Sequence, residues 1–599
     1  MRSSLLLAPL LAGLAAAVYD AESSHHEEGP HIMTPQELYD DKVARYYILS
    51  GGSVFAVILI WSAVIRMSAH IRRLTSLSND TQRYFITAHN FWAWMKRHVM
   101  YAPLLWKRHN REYRLSAALN MGTLPTRFHT VLLLMVVGSN AYLCLHKLPF
   151  SSPEKEFLPS IRKRTGTMAT VNLIPLVLMA GRNNPLIKLL DVSFDTWNLL
   201  HRWLGRIVVL ESLAHTICWM VGKVHTDGWA DLRESLGSSN LILTGIVATV
   251  CVVVISLHSV SVLRHAFYET FLHFHIVLVI VFLAFTWIHL VGYSQFKYLL
   301  GAILLWAFER AWRIVTIVYR NFLRGNTTAT IEALPGEAMR VTLRVARPWT
   351  FRPGQHLYLY IPSVGWWTSH PFSVAWSDTE ESDTDEKGLV MTKQDVLGLQ
   401  HPTMSLVIRR RTGMTNKLYE KATENGATSV TLSAMVEGPY GAEHVLDSYG
   451  SVVLFAAGVG ITHHVSYVRH LVAGFADGTV ATRRLTLVWV IQSPEHLEWI
   501  RPWMTSILFM NRRREVLRIM LFITRPRNTK EIHSPSTTVQ MFPGKPDIGT
   551  ILDGEIEKQV GAMGVMVCGT GSLSDEIRFA CRQRQTPTHV DFIEECFTW

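Results

Sequence analysis

The chain has 599 residues, 49% of them hydrophobic, with a mean hydropathy of +0.17 and a net charge of +11. That length expects several domains, and the hydropathy is too high for an ordinary soluble protein and too low for one that is all membrane, so a membrane half joined to a soluble half fits. The basic balance follows membrane topology rather than nucleic acid, because Lys96, Arg97, Lys107, Arg108, Arg111 and Arg114 sit beside apolar stretches.

In chain order, residues 1–17 read as a secretory signal: Arg2, a Leu-rich run, then small residues. Region 18–125 holds a first span and a basic loop; its His25, His26 and His31 read as a solvated tail. Seven apolar stretches are expected to span a bilayer: about 46–66, 126–146, 166–182, 200–222, 240–259, 269–291 and 296–318. With the signal removed, an odd number of spans puts the C-terminal half in the cytosol and the basic 67–125 loop inside. The 147–165 loop then lies outside although it carries Lys147, Lys155, Arg162, Lys163 and Arg164. The six cysteines show no zinc-ligand spacing and no disulfide framework.

The fourth and sixth spans carry the most specific signal. His201 and His215 are 14 residues apart, as are His275 and His289. At about 100° and 1.5 Å per residue, that interval returns within roughly 40° of the same helix face and climbs about 21 Å. The two spans run in the same direction, so His201 is level with His275 and His215 with His289. Two stacked haems, each held by two neutral imidazoles, fit this pattern. Phe282 falls midway between its two histidines, Gly205 lies one turn from His201, and Arg202 and Arg206 sit at the inner level, where they either pair haem propionates or mark the membrane boundary. His273 faces away from His275, and His258 and His265 sit at span ends.

After residue 320 the pattern changes to short alternating strands, read as an antiparallel barrel over 328–446 with an acidic loop at 377–388. From 447 to 599 apolar strands alternate with helices, the mark of a parallel sheet. The barrel carries His370-Pro371-Phe372-Ser373, and then Arg409 and Gly413 to Thr415 before a helix whose amides favour a phosphate. Gly438-Pro439-Tyr440-Gly441 precedes a strand that ends in Gly458, Gly460, Ile461 and Thr462 and runs into a helix. Strand, glycine turn, helix is the dinucleotide-phosphate arrangement. Cys568-Gly569 follows another apolar strand.

Taken together and in this order, the motifs resemble the ferric/cupric-chelate reductase family of fungi, within the flavocytochrome superfamily that includes NADPH oxidases. The resemblance implies a multi-span helical membrane domain (126–320) with two b-type haems on His201, His215, His275 and His289, followed by a ferredoxin-reductase-like module. It implies FAD at His370, Pro371, Phe372, Ser373, Arg409, Gly413 and Thr415. It implies NADPH at Gly438, Pro439, Gly458, Gly460, Ile461, Thr462, Cys568 and Gly569, with Trp599 as the terminal aromatic that stacks on the flavin. One departure concerns coenzyme choice: Gln492 stands where relatives often carry a base for the 2′-phosphate, and Arg525 and Arg527 are the substitutes at hand. The implied activity is transfer of electrons from cytosolic NADPH to ferric or cupric chelates outside, at the plasma or vacuolar membrane, alongside an iron permease and oxidase. The competing readings are an NADPH oxidase that makes superoxide and a scaffold without electron flow.

Overall fold

The computed structural model describes residues 34–106, 122–366, 368–380, 401–426, 428–441, 444–526, 534–586 and 588–595. The expected signal, His25, His26, His31, Arg527, Trp599 and the acidic stretch past Glu380 lie outside the described residues. The chain divides into two compact units. One holds the described residues to Ser62, Gly122 and 129–312; the other holds those of 63–112, 123–128 and 313–599.

All seven apolar stretches are helical: α1 (Pro35–Ser76), α2 (Arg127–Leu145), α3 (Glu154–Ala180), α4 (Phe194–Ser238), α5 (Asn240–His258), α6 (Tyr268–Leu290) and α7 (Phe296–Asn321). Five of them, α1, α2, α4, α5 and α6, are long and apolar enough to cross a membrane. The other two carry more charge. α3 starts at Glu154 rather than 166 and takes in Arg162, Lys163 and Arg164, while α7 includes Lys297, Glu309, Arg310 and Arg313.

The awkward basic run before the third span is neutralised inside the first unit. Arg164 is wholly buried, pairs with Asp40 at 2.6 Å, and donates to the carbonyls of Leu143 (2.8 Å) and His146 (3.0 Å). Lys163 pairs with Glu37 at 3.0 Å. Acids on the first turns of α1 thus meet bases on α3, which removes the burden from the topology. Deeper in the helices, Glu211 of α4 accepts hydrogen bonds from Asn172 Nδ2 (2.9 Å) and Cys144 Sγ (3.4 Å), a buried polar link between α2, α3 and α4.

In the second unit the barrel is built from two antiparallel sheets. One has the order β5-β6-β2-β1-β7: β1 (Thr328–Leu334), β2 (Ala338–Arg344), β5 (Trp376–Glu380), β6 (His401–Arg409) and β7 (Ser429–Ser433). The other has the order β4-β3-β8: β3 (Gln355–Tyr360), β4 (His370–Ser373) and β8 (Met435–Gly441). Ile331, Met339, Val341, Leu343, Leu357, Leu359 and Leu406 fill the space between them. The start of the expected acidic loop is strand rather than loop, since Trp376 to Glu380 pairs with β6. The last turns of α7 are bonded to β8. Glu437, fully buried, accepts from Arg313 Nε (3.0 Å), Tyr360 Oη (2.7 Å) and Tyr440 Oη (2.6 Å). About two turns beyond Arg313, Asn321 exchanges two 2.8 Å bonds with the backbone of Val436.

The remaining strands form a six-stranded parallel sheet of order β12-β11-β10-β9-β13-β14: β9 (Ser451–Ala457), β10 (Arg484–Ile491), β11 (Leu517–Ile523), β12 (Val539–Pro543), β13 (Met563–Cys568) and β14 (Val590–Glu595). Strands this apolar on both faces belong to a parallel sheet covered by helices. The chain moves outward from β9 to β12, then returns to the other side of β9, so the order reverses between β9 and β13.

The 63–106 segment also belongs to this unit, and it caps the amino ends of those strands. Arg72 donates to Ser448 Oγ at 2.7 Å, and Gln82 Nε2 donates to the Ala481 carbonyl at 2.6 Å. Gln82 leaves no room for a Cβ at Gly450 or Gly561. His589 N donates to the Ile86 carbonyl at 2.7 Å, and Lys96 pairs with Asp591 at 2.5 Å. From residue 67 onward the sequence suggests only a basic loop.

Candidate functional site

α4 and α6 bring the four histidines together in two level pairs. The ring centroids of His201 and His275 are 6.4 Å apart, and those of His215 and His289 are 6.3 Å apart. Two imidazoles on opposite sides of one metal, each bonded at about 2.0–2.1 Å with its ring centre roughly 1.1 Å behind the nitrogen, place their centroids about 6.3 Å apart. Direct imidazole–imidazole hydrogen bonding would draw the rings closer than that.

Three of the four rings have their tautomer fixed. His201 Nδ1 lies 2.9 Å from the Leu176 carbonyl, His215 Nδ1 2.9 Å from the Arg162 carbonyl, and His289 Nδ1 2.8 Å from the Leu241 carbonyl. A carbonyl only accepts, so Nδ1 carries the hydrogen and Nε2 keeps its lone pair for a metal. His275 Nδ1 has no hydrogen-bond partner among the described residues. The residues present therefore fit haem. Among the described residues no group of three or more metal-ligating side chains occurs, and none is required, because a porphyrin brings four nitrogens and asks the protein for two.

Gly166 on α3 and Gly245 on α5 lie against the His215–His289 pair, and neither stands out in the sequence. A Cβ on Gly166 would sit 2.5 Å from His215 Nδ1, and one on Gly245 would sit 2.8 Å from His289 Cε1. Glycine there lets each ring lie against the neighbouring backbone. Gly205, singled out from its spacing, has only Leu176 Cδ1 at 3.8 Å and shows no such squeeze. Phe282 is buried in the helix core. Arg206 lies over the Trp203 ring at 4.7 Å. His273 is exposed, with Nδ1 on the Glu269 carbonyl at 2.7 Å, away from the pairs.

In the barrel, His370 to Ser373 form β4 and pair with β3 in the register His356↔Ser373 through Leu359↔His370. β6 ends at Arg409, and Gly413 at φ +77° opens helix α8 (Met414–Thr423). Thr415 Oγ1 accepts the Arg411 N–H at 3.0 Å. The Arg410 side chain is engaged with Asn416 at 2.7 Å, whereas the Arg409 side chain makes no hydrogen bond or ion pair among the described residues. A cationic side chain left uncommitted beside a helix N-terminus suits a pyrophosphate. Arg409→Ala is expected to weaken FAD binding roughly 10–100-fold, the worth of one charge-assisted contact, with haem absorbance intact. Equal FAD titration curves for the two proteins would make Arg409 a solvated strand end.

Gly438 and Pro439 lie in β8, inside the expected 328–446 barrel, on the opposite side of β3 from β4. They and the His370–Ser373 strand thus flank one central strand.

In the α/β part, β9 runs into Gly458 (φ +54°), Gly460 and helix α9 (Ile461–Ala476). β13 ends at Cys568-Gly569 beside it, in the parallel register Cys568↔Ala456. The two turns touch: a Cβ on Gly460 would sit 2.1 Å from the Cys568 carbonyl oxygen, and one on Gly569 would sit 2.7 Å from Ala457 Cβ. Both lie at the carboxyl edge where strand order reverses, the position at which open α/β sheets bind nucleotides. Thr462 Oγ1 donates to the Val459 carbonyl at 2.8 Å and tightens the turn. The Cys568 thiol is buried, and burial, then the Glu595 carboxylate, pushes its pKa up, so it stays protonated and serves in packing rather than as a nucleophile. Gln492 and Arg525 follow adjacent strands and are joined by a 3.0 Å backbone bond. His463 and His464, directly after Ile461 and Thr462, are buried beneath this turn and were not anticipated; His464 Nε2 meets the Phe455 carbonyl at 2.9 Å.

Three family profiles match the chain in order: a ferric reductase like transmembrane component over residues 165–286, an FAD-binding domain over 323–444, and a ferric reductase NAD binding domain over 449–582. Ferric reductase transmembrane component 3 of Saccharomyces cerevisiae is 24% identical, over 84% of this chain and 71% of that protein. Ferric/cupric reductase transmembrane component 2 of the same yeast is 26% identical, over 76% of this chain and 61% of that protein. A probable cell surface ferric reductase kap2 of Aspergillus oryzae is 28% identical, over 57% of this chain and 45% of that protein. The matched region thus spans from about half to about seven tenths of these relatives.

Proposed function

The chain belongs to the fungal ferric reductase family of the flavocytochrome superfamily, and from that premise we propose that it carries electrons from NADPH across a membrane to a ferric, or cupric, chelate on the far side. The observation that carries the proposal is the pair of level histidine couples at 6.4 and 6.3 Å on two membrane-spanning helices. When bound, FAD takes a hydride from NADPH, and haem takes and gives single electrons.

The chain's own residues do the rest. Leu176, Arg162 and Leu241 offer the carbonyls that orient His201, His215 and His289, so that each ring presents Nε2. Arg409 and the amides that follow Gly413 hold the flavin pyrophosphate. The Gly458–Thr462 turn and Gly569 receive the nicotinamide nucleotide, with Arg525 as the candidate cation for a 2′-phosphate. Trp599 is proposed to cover the flavin face until nicotinamide displaces it. No protein nucleophile is involved.

We place the protein in the plasma membrane, with the nucleotide-binding half cytosolic and an iron permease and oxidase system as its partner. The test is ferric-chelate reduction at the surface of intact cells driven by intracellular NADPH, with and without superoxide dismutase. Reduction that dismutase leaves unchanged supports direct transfer to the chelate. Reduction abolished by dismutase makes the protein an oxidase, and absence of haem absorbance in the purified protein leaves a scaffold.

A further inference from the structure

The short helix Asn90–Met95 and the wider turn that continues it, Lys96–Met100, have their polarity inverted. The basic member is inside: Lys96 is 2% exposed and pairs with Asp591 at 2.5 Å. Lys96 and His589 hold the half-buried Asp591 carboxylate charged, well below its usual range. Ala93, three residues earlier on the same face, is also buried. The opposite face carries Phe91 and Trp94, 64% and 53% exposed, with the His98 ring 5.6 Å from that of Trp94. A helix facing water would do the reverse, because exposing two large aromatic rings while burying an ammonium forfeits hydrophobic energy and adds a desolvation cost.

Two further observations say what lies on that face. First, the segment sits in the chain between α1 and α2, both long and apolar enough to cross a membrane. Second, three guanidinium groups gather at its C-terminal end. Arg582 Nε donates to the Arg97 carbonyl at 2.9 Å, and Arg127 Nη1 donates to the His98 carbonyl at 3.3 Å. The charges of Arg127 and Arg97 bear on Arg582. Among the described residues no carboxylate is within ion-pair distance of any of the three. Aromatic side chains beside uncompensated basic ones form the pattern of an interfacial membrane-binding element.

We propose that residues 90–100 lie on the lipid–water interface of the leaflet that faces the nicotinamide domain, with Phe91 and Trp94 at the boundary between headgroups and acyl chains and Arg97, Arg127 and Arg582 against anionic headgroups. Lys96 then serves as the peg that fixes this membrane-seated helix to β14. The surface holds the nicotinamide domain at the bilayer by a contact separate from the membrane spans, and it does not depend on which acceptor the protein reduces.

The test is photo-crosslinking of the full-length, haem- and flavin-loaded protein in nanodiscs of phosphatidylcholine, with or without phosphatidylserine. Benzoylphenylalanine replaces Phe91 or Trp94, and as a water-exposed control it replaces Arg501. The expected product at 91 and 94 is a lipid adduct, absent at 501. In mixed discs phosphatidylserine should be over-represented in the adduct, and Arg97→Glu should lower that enrichment about fivefold or more, the equivalent of about 1 kcal/mol per basic side chain at a charged surface. Crosslinks to the protein's own chain, or no adduct at either position, would overturn the proposal. Adducts that mirror the bulk lipid composition would overturn the anionic-headgroup assignment. Unchanged haem and flavin absorbance confirms that each variant is folded.

Discussion

Alanine in place of His215 is expected to halve the haem content of the purified protein and abolish reduction of extracellular chelate, while flavin stays bound. His215 is proposed to hold one haem together with His289, and the Arg162 carbonyl 2.9 Å from Nδ1 orients its ring. Without it, His289 would face a gap of one ring, and the proposed site would be left with one imidazole in place of two. The inner couple, His201 and His275, is about 21 Å away along the helix by the 14-residue rise and keeps both ligands. Electrons would therefore still reach the inner level from NADPH and stop there. Haem-to-protein stoichiometry by absorbance, together with anaerobic reduction by NADPH, reads both halves of the expectation. An unchanged stoichiometry would remove His215 from the ligand set and with it the outer site.

A second large effect is expected from Gly460→Ala. The backbone angle is no obstacle, since Gly460 has φ −58°. The obstacle is the neighbour: the new methyl would sit 2.1 Å from the Cys568 carbonyl oxygen, and that atom belongs to backbone at the end of a fully buried strand. Neither side can yield without spreading β9 from β13 at the point where the nucleotide is proposed to enter. Overpacking of this kind costs typically about 1–3 kcal/mol. Here the distortion also falls on the amides that would face the pyrophosphate. Flavin bleaching by NADPH should slow at least about tenfold, the rate equivalent of about 1.4 kcal/mol. Bleaching by dithionite and the haem content should be normal. Wild-type kinetics in this variant would place the nicotinamide elsewhere.

The sequence disclosed these sites unevenly, for physical reasons. The four haem-type histidines were legible because a helix converts a 14-residue interval into a common face, and two equal intervals on two apolar segments leave little else to satisfy. The glycines that press on them were not, because Gly166 and Gly245 look like any small residue in a membrane helix until the facing chain is in place. The turn at Gly458–Thr462 was legible as strand, glycine, helix. The pairing of Arg164 with Asp40 joins residues 124 positions apart, and the seating of Lys96 on Asp591 joins residues 495 apart. No local pattern announces either. Trp599 remains a reading of sequence.

The bond between α7 and β8 bears on where this chain can be divided. The flavin-domain profile begins at residue 323, just past the end of the helix at Asn321. A fragment begun there would lose Arg313 and Asn321 together. Glu437 would then lose the Arg313 guanidinium, and the Val436 backbone would lose both bonds to Asn321. Stripping one member from a buried ion pair costs about 3–5 kcal/mol, a large share of what holds a domain of this size together. A fragment that keeps the helix from Arg313 onward retains the whole arrangement. The helical end that reads as the close of the membrane half is thus, in folding terms, the first element of the flavin domain, and the chemical seam of the protein lies about two turns inside α7 rather than in the loop that follows it.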